Sequence, residues 1–172
     1  MFNPNPAKEK FDEAMADFTD RNYAKSIDLL SEAIDIDPQF ELAIKSRGAA
    51  YLRLGNLEGA LADFNRVLDL DPLNARAFHL RGLAHEKSGD YENALSDLTK
   101  AIELNPQYGA AYYSRANLHS KMGNADLAAE DIEMMTHMTE VNIETFANEN
   151  NIWRSRHLNL ESIHNDDIAM ER

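Results

Sequence analysis

The chain of 172 residues has no cysteine, so it can form neither disulfides nor thiolate metal sites or nucleophiles. It is short of positive charge: 17 Lys and Arg stand against 30 Asp and Glu, a net charge of −13. Summed over the surface, that balance repels nucleic acid and anionic lipid, and neither is expected as a partner. Long apolar runs are missing as well. The opening "MFNPNPAKEKF" is too polar for a signal peptide and no later stretch is long enough for a membrane span, so a soluble, cytoplasmic protein is expected. The sequence contains no glycine-rich phosphate loop, no Gly-x-Ser-x-Gly and no His-Glu-x-x-His. No catalytic residue, metal or cofactor is expected. With 44% hydrophobic and 27% charged residues, the composition is still that of a globular chain.

The chain is rich in repetition. "ALADFNRVLDLDP" at 60–72 and "ALSDLTKAIELNP" at 94–106 share a skeleton 34 residues apart. Pro38, Pro72 and Pro106 keep that spacing, as do Gly55, Gly89 and Gly123, and Ala60, Ala94 and Ala128. Within each unit the apolar residues recur at helical intervals. Ile44, Arg47, Gly48 and Tyr51 share one face, Gly55-Asn56 interrupts, and Leu57, Ala60, Leu61, Phe64, Val67 and Leu68 form a second face. Pro72 disfavours a helical Asp71 and ends the second helix. Gly48, Gly82 and Ala116 hold one small place, where a partner helix can approach closely.

This pattern resembles the tetratricopeptide repeat, carried by Phe78, Gly82, Tyr91, Ala94, Leu98, Ala101 and Pro106 and their equivalents one repeat away. The resemblance implies an all-α fold, a right-handed superhelical solenoid of antiparallel helix pairs. Four repeats are expected at 7–40, 41–74, 75–108 and 109–142, after an N-terminal extension at 1–6. Repeat 1 departs from the others: Lys10 and Glu13 replace the Ile44/Phe78/Tyr112 and Arg47/Arg81/Arg115 columns, which suits a polar terminal cap. Repeat 4 lacks the closing Pro, so its second helix is expected to run on. In residues 143–172, Phe146, Trp153 and Leu160 lie seven apart on one helical seam, expected to cap repeat 4 before a frayed acidic tail; the alternatives are a partner helix or a self-ligand. Stacking is what stabilises such units, because one alone cannot bury its faces.

Arg47, Arg81 and Arg115 fall on the inward stripes, matched by Asp63, Asp97 and Asp131 in the second helices. Repeat 1 lacks both partners together, with Glu13 and Leu29 in their places. Three structural ion pairs are expected; an arginine cluster for ligand is the alternative. Asp35 and Asp37 belong to the repeat's helix ends rather than to an acid–base pair, and His85 and His119 read as packed residues rather than metal ligands. Met134, Met135 and Met138 read as packing, with an adaptable binding surface as the alternative.

In the implied fold the first helices line a concave groove. Its face takes Lys8, Phe11, Met15 and Phe18, then Lys45, Ala49, Leu52 and Arg53. Repeat 3 adds Arg76, His79, Leu83, Glu86 and Lys87, and repeat 4 adds Tyr113, Asn117, Ser120 and Lys121. Six bases and one acid line this face of an acidic molecule. A non-catalytic protein–protein interaction module is therefore expected, binding an acidic or carboxylate-bearing peptide in a basic groove. The alternatives are long basic side chains that only solvate the wall, and a self-assembling scaffold or homo-oligomer. The chaperone-binding carboxylate clamp of the family is not matched. Lys45 is followed by Ala49, the next helices offer Leu80, then Ala110 and Ser114, and the earlier register keeps only Arg76. A heat-shock chaperone tail is thus not the expected ligand.

Overall fold

The structure is a computed structural model that describes residues 5–149. Among the described residues there are eight helices and no strand: α1 Pro6–Thr19, α2 Tyr23–Ile36, α3 Glu41–Leu54, α4 Leu57–Leu70, α5 Ala75–Ser88, α6 Tyr91–Leu104, α7 Gly109–Lys121 and α8 Ala125–Glu149. Each helix packs chiefly on its neighbours in the chain, and α3, α5 and α7 also touch in series. The result is an all-α solenoid of antiparallel pairs whose odd-numbered helices lie side by side.

The punctuation is set by a few residues per unit. Gly55, Gly89 and Gly123 adopt left-handed φ of 80°, 82° and 82°, which glycine takes without a steric penalty. Repeat 1 puts Arg21 in the same column, at φ 63°. Asn5, Asn56, Asn74 and Asp90 cap helices by accepting from backbone N–H groups one turn on. At the Pro turns Asp37, Asp71 and Asn105 each accept from the backbone N–H two residues on, at 3.1 Å, which accounts for the paired carboxylates as turn chemistry.

Close packing follows the small columns. Ser26, Ala60, Ala94 and Ala128 are buried at equivalent places. A Cβ on Gly48 would come within 2.7 Å of Phe64 Cε1, and one on Gly82 within 3.1 Å of Leu98 Cγ. Repeat 4 carries Ala116 in this column, and its partner place holds Ile132, 48% exposed where Phe64 and Leu98 are fully buried. Repeat 1 closes its end with polar pairs, Lys10 to Glu32 at 2.7 Å and Lys25 to the buried Asp17 at 2.9 Å. α8 spans 25 residues against 14 for α2, α4 and α6 and runs through residue 142 without a break. Met135 and Met138 pack against the Ala111–Tyr112 cluster. Trp153 and Leu160, two of the three seam residues, lie outside the described residues.

Candidate functional site: the concave face

The arginine of each later repeat is held rather than free. Arg47 Nε and Nη2 donate to Asp63 at 2.9 and 2.8 Å, Arg81 to Asp97 at 2.8 and 2.7 Å, and Arg115 to Asp131 at 2.9 and 2.7 Å. The remaining Nη1 reaches back to the preceding repeat, to Ser31 at 3.0 Å, Asn65 at 2.8 Å and Thr99 at 3.2 Å. These three acceptors also lie 34 apart in the chain, a regularity visible in the sequence once the arginine's second contact is sought. An aromatic face from Tyr51, Phe78 or Tyr112 lies 5.3–5.9 Å from each guanidinium carbon. The aspartates raise each arginine's pKa above its ordinary value. These groups bind helix to helix and repeat to repeat, with all three nitrogens of each guanidinium hydrogen-bonded within the array.

The groove is built from the inner faces of α1, α3, α5 and α7 as two adjoining hollows. The first is lined by Phe11, Met15, Phe18, Leu42, Lys45, Ser46, Ala49, Arg76 and Leu80. The second shares Phe18, Ala49, Arg76 and Leu80 with it and adds Leu52, Arg53, Leu83, Glu86, Lys87 and Lys121. Tilted and edge-on ring contacts brace the first wall: Phe11 lies 5.2 Å from Phe40, and Phe18 lies 5.2 Å from Tyr23. Leu42, Ser46 and Leu80 are wall residues absent from the sequence-based list. Each lies three or four residues from a residue of the expected face, so the wall is one side-chain column broader than that face.

Charge is divided between the hollows. Lys45 in the first is paired with Glu41 at 2.7 Å. In the second, Lys121 crosses from α7 to Glu86 on α5 at 2.6 Å, which raises the lysine's pKa. Arg53, Arg76 and Lys87 are exposed, and among the described residues no carboxylate pairs with them. Lys8 is tied to Asp12 at 2.6 Å and lines neither hollow.

His79 is a correction to the expected groove. It is 7% exposed, with Nδ1 3.0 Å from the Tyr108 hydroxyl and Nε2 2.9 Å from Ser114 Oγ. Packing of α7 against α5 covers it. Burial, with a lesser push from Arg76, lowers its pKa to about 4, so it is a neutral hydrogen-bonding residue beneath the groove. Tyr113 and Asn117, one repeat on from His79 and Leu83, are exposed and line neither hollow. His119 is buried, and His85 lies 3.5 Å from Asp90 and 3.9 Å from Asp97. Among the described residues no three His, Asp or Glu side chains gather as a metal set, and no helix is long and apolar enough to cross a membrane.

A repeating solenoid of helix pairs with a preformed, partly apolar groove along its first helices is the architecture of the helical-repeat proteins. The chain belongs to the tetratricopeptide repeat family, whose profiles match residues 11–75 and 45–108 in one form and 86–136 in another. No curated protein matches the chain in sequence. Among solved structures, a crystal structure of MamA is similar with a TM-score of 0.74 at 19% identity, over 83% of each chain. MamA from Desulfovibrio magneticus RS-1, residue 41 to its end, gives 0.72 at 19%, over 78% of this chain and 76% of that one. The first repeat domain of Spaghetti (RPAP3), solved with an HSP90 peptide, gives 0.66 at 24%, over 69% of this chain and 94% of that one. At such identities the likeness speaks to fold alone. The repeats make this chain a protein–protein interaction module.

Proposed function

We propose that the chain is a non-catalytic adaptor that binds an acidic or carboxylate-bearing segment of a partner protein in the groove of α1, α3, α5 and α7. The observation that carries this is the set of three cations, Arg53, Arg76 and Lys87, exposed in one hollow and without a carboxylate partner among the described residues, in a protein with net charge −13. Such a concentration of positive charge on an acidic body steers acidic segments to one face and deters them elsewhere. Sites of this kind weaken as salt rises. The HSP90 peptide of the Spaghetti structure is not carried over, because the clamp positions hold Ala49, Leu80, Ala110 and Ser114. A cytoplasmic location agrees with the cysteine-free sequence. The test is capture from native lysate by the intact chain and by an Arg53→Glu/Arg76→Glu/Lys87→Glu variant of equal melting temperature. A partner lost from the variant supports the reading; the same partner on both proteins overturns it.

One observation favours self-association as a second reading. Tyr113 is 56% exposed where His79 is 7%, and Ile132 is 48% exposed where Phe64 and Leu98 are fully buried. Repeat 4 thus presents apolar places that a following helix covers in the interior of the array. Sedimentation of the intact chain over a concentration series checks this: a mass that rises with concentration and falls back with Ile132→Glu supports it, and a constant monomer excludes it.

A further inference from the structure

The two hollows are chemically unlike, and the difference specifies a ligand. In the first, of about 320 Å³, the walls are Phe11, Met15, Phe18, Leu42 and Leu80, and the lysine on its rim is neutralised by Glu41. In the second, of about 390 Å³, three cations have no carboxylate partner among the described residues. Arg76 and Leu80 face both. An acidic segment with no apolar side chain would leave the first hollow wet, and an apolar segment with no acid would leave three cations without a counter-charge.

Resting on the groove reading above, the geometry points to a two-part motif: one large apolar side chain, Phe, Leu, Met or Trp, seated against Met15 and Leu80, and a pair of carboxylates over Arg53, Arg76 and Lys87. The hollows share Phe18, Ala49, Arg76 and Leu80 and are displaced along α3 and α5 by about a turn and a half of helix, roughly 8 Å. An extended chain advances about 3.3 Å per residue. The carboxylates therefore follow, or precede, the apolar anchor by about three residues. Ring contacts to Phe40 and Tyr23 hold Phe11 and Phe18 in place before binding, which limits the ordering cost. The anchor supplies affinity by burying apolar surface, and the acids supply orientation and association rate. The Lys121–Glu86 pair closes the run of free charge on the repeat-4 side, so a longer acidic stretch gains nothing there.

The experiment is selection of random dodecapeptides displayed on phage against the full chain, followed by titration of the enriched peptides in fluorescence anisotropy. The expected peptides carry an apolar residue about three positions from two acids. Replacing the peptide's apolar residue by Ser, or the protein's Leu80 by Asn, should each weaken binding at least about tenfold. Met15→Asn on the facing wall serves as the second variant, with melting temperatures measured for both. Acidic peptides with no apolar residue, insensitive to Leu80→Asn and Met15→Asn but lost with Arg53→Glu/Arg76→Glu/Lys87→Glu, would overturn the two-part motif and leave the groove reading intact. Peptides indifferent to every one of these substitutions, or no enrichment at all, would overturn both.

Discussion

At the scale of the residue, Arg81 shows how one side chain can tie three neighbours together. Its guanidinium makes two bonds to Asp97, one to Asn65 and a face contact with Phe78. Asp97→Ala leaves a half-buried cation without its partner, and we expect a loss of about 3–5 kcal/mol in chemical denaturation. The pairing was readable from the sequence because Arg and Asp appear and vanish together from one repeat to the next. The fate of His79 was not. Its column holds Lys45 before it and Tyr113 after it, and only the packing of α7 decides that the middle member is covered. The depressed pKa has a consequence. A histidine near 4 in the fold and near 6.5 when unfolded binds fewer protons folded than unfolded between those values, so stability falls as pH drops through that window. Between pH 7 and pH 5 the loss is about 2 kcal/mol, and His79→Gln should flatten that slope. An unchanged slope in the variant would place the pH dependence elsewhere.

At the scale of the element, the period of 34 announced helix pairs, and seven of the eight described helices run 13 or 14 residues. Gly columns mark one end because glycine takes the left-handed conformation without a Cβ penalty, and Pro columns the other because proline disfavours a helical residue before it. Arg21 is the exception that a repeat comparison exposes, a non-glycine in the left-handed place. Arg21→Gly should raise stability by up to about 1 kcal/mol, the relief of the Cβ strain slightly exceeding glycine's extra unfolded freedom. A drop in stability would mean that the arginine makes compensating contacts. Gly48→Ala tests the close-approach column. It should destabilise by about 1–3 kcal/mol despite alanine's better helix propensity, since Phe64 cannot yield within a packed core. Phe64→Leu, which puts at this place the smaller residue that repeat 3 carries as Leu98, should recover part of the loss in the Gly48→Ala protein. The length of α8 was readable only in direction: the missing Pro removes a stop, and nothing in the pattern says how far the helix continues.

At the scale of the whole molecule, function lies in what differs between copies. The shared columns make the solenoid, and the inner faces of the first helices, where residues vary freely, make the groove. Much of that face was legible, because helical spacing read within the fold the repeat resemblance implies places Phe11, Met15, Lys45, Ala49, Arg53, Arg76, Leu83, Lys87 and Lys121 along the hollows. Which of the cations are free was not legible. Lys45 and Lys121 lose their availability to Glu41 and Glu86, and those pairings depend on side-chain reach within a helix and between repeats. The basic groove of the sequence therefore contracts to a patch of three cations beside an apolar hollow, on an acidic solenoid. The most direct test of that account is hydrogen exchange of the intact chain with and without its captured partner. The account requires slowed exchange in α1, α3 and α5, with α2, α4 and α6 unchanged. Protection confined to α2, α4 and α6 would contradict it and move the binding surface to the opposite face.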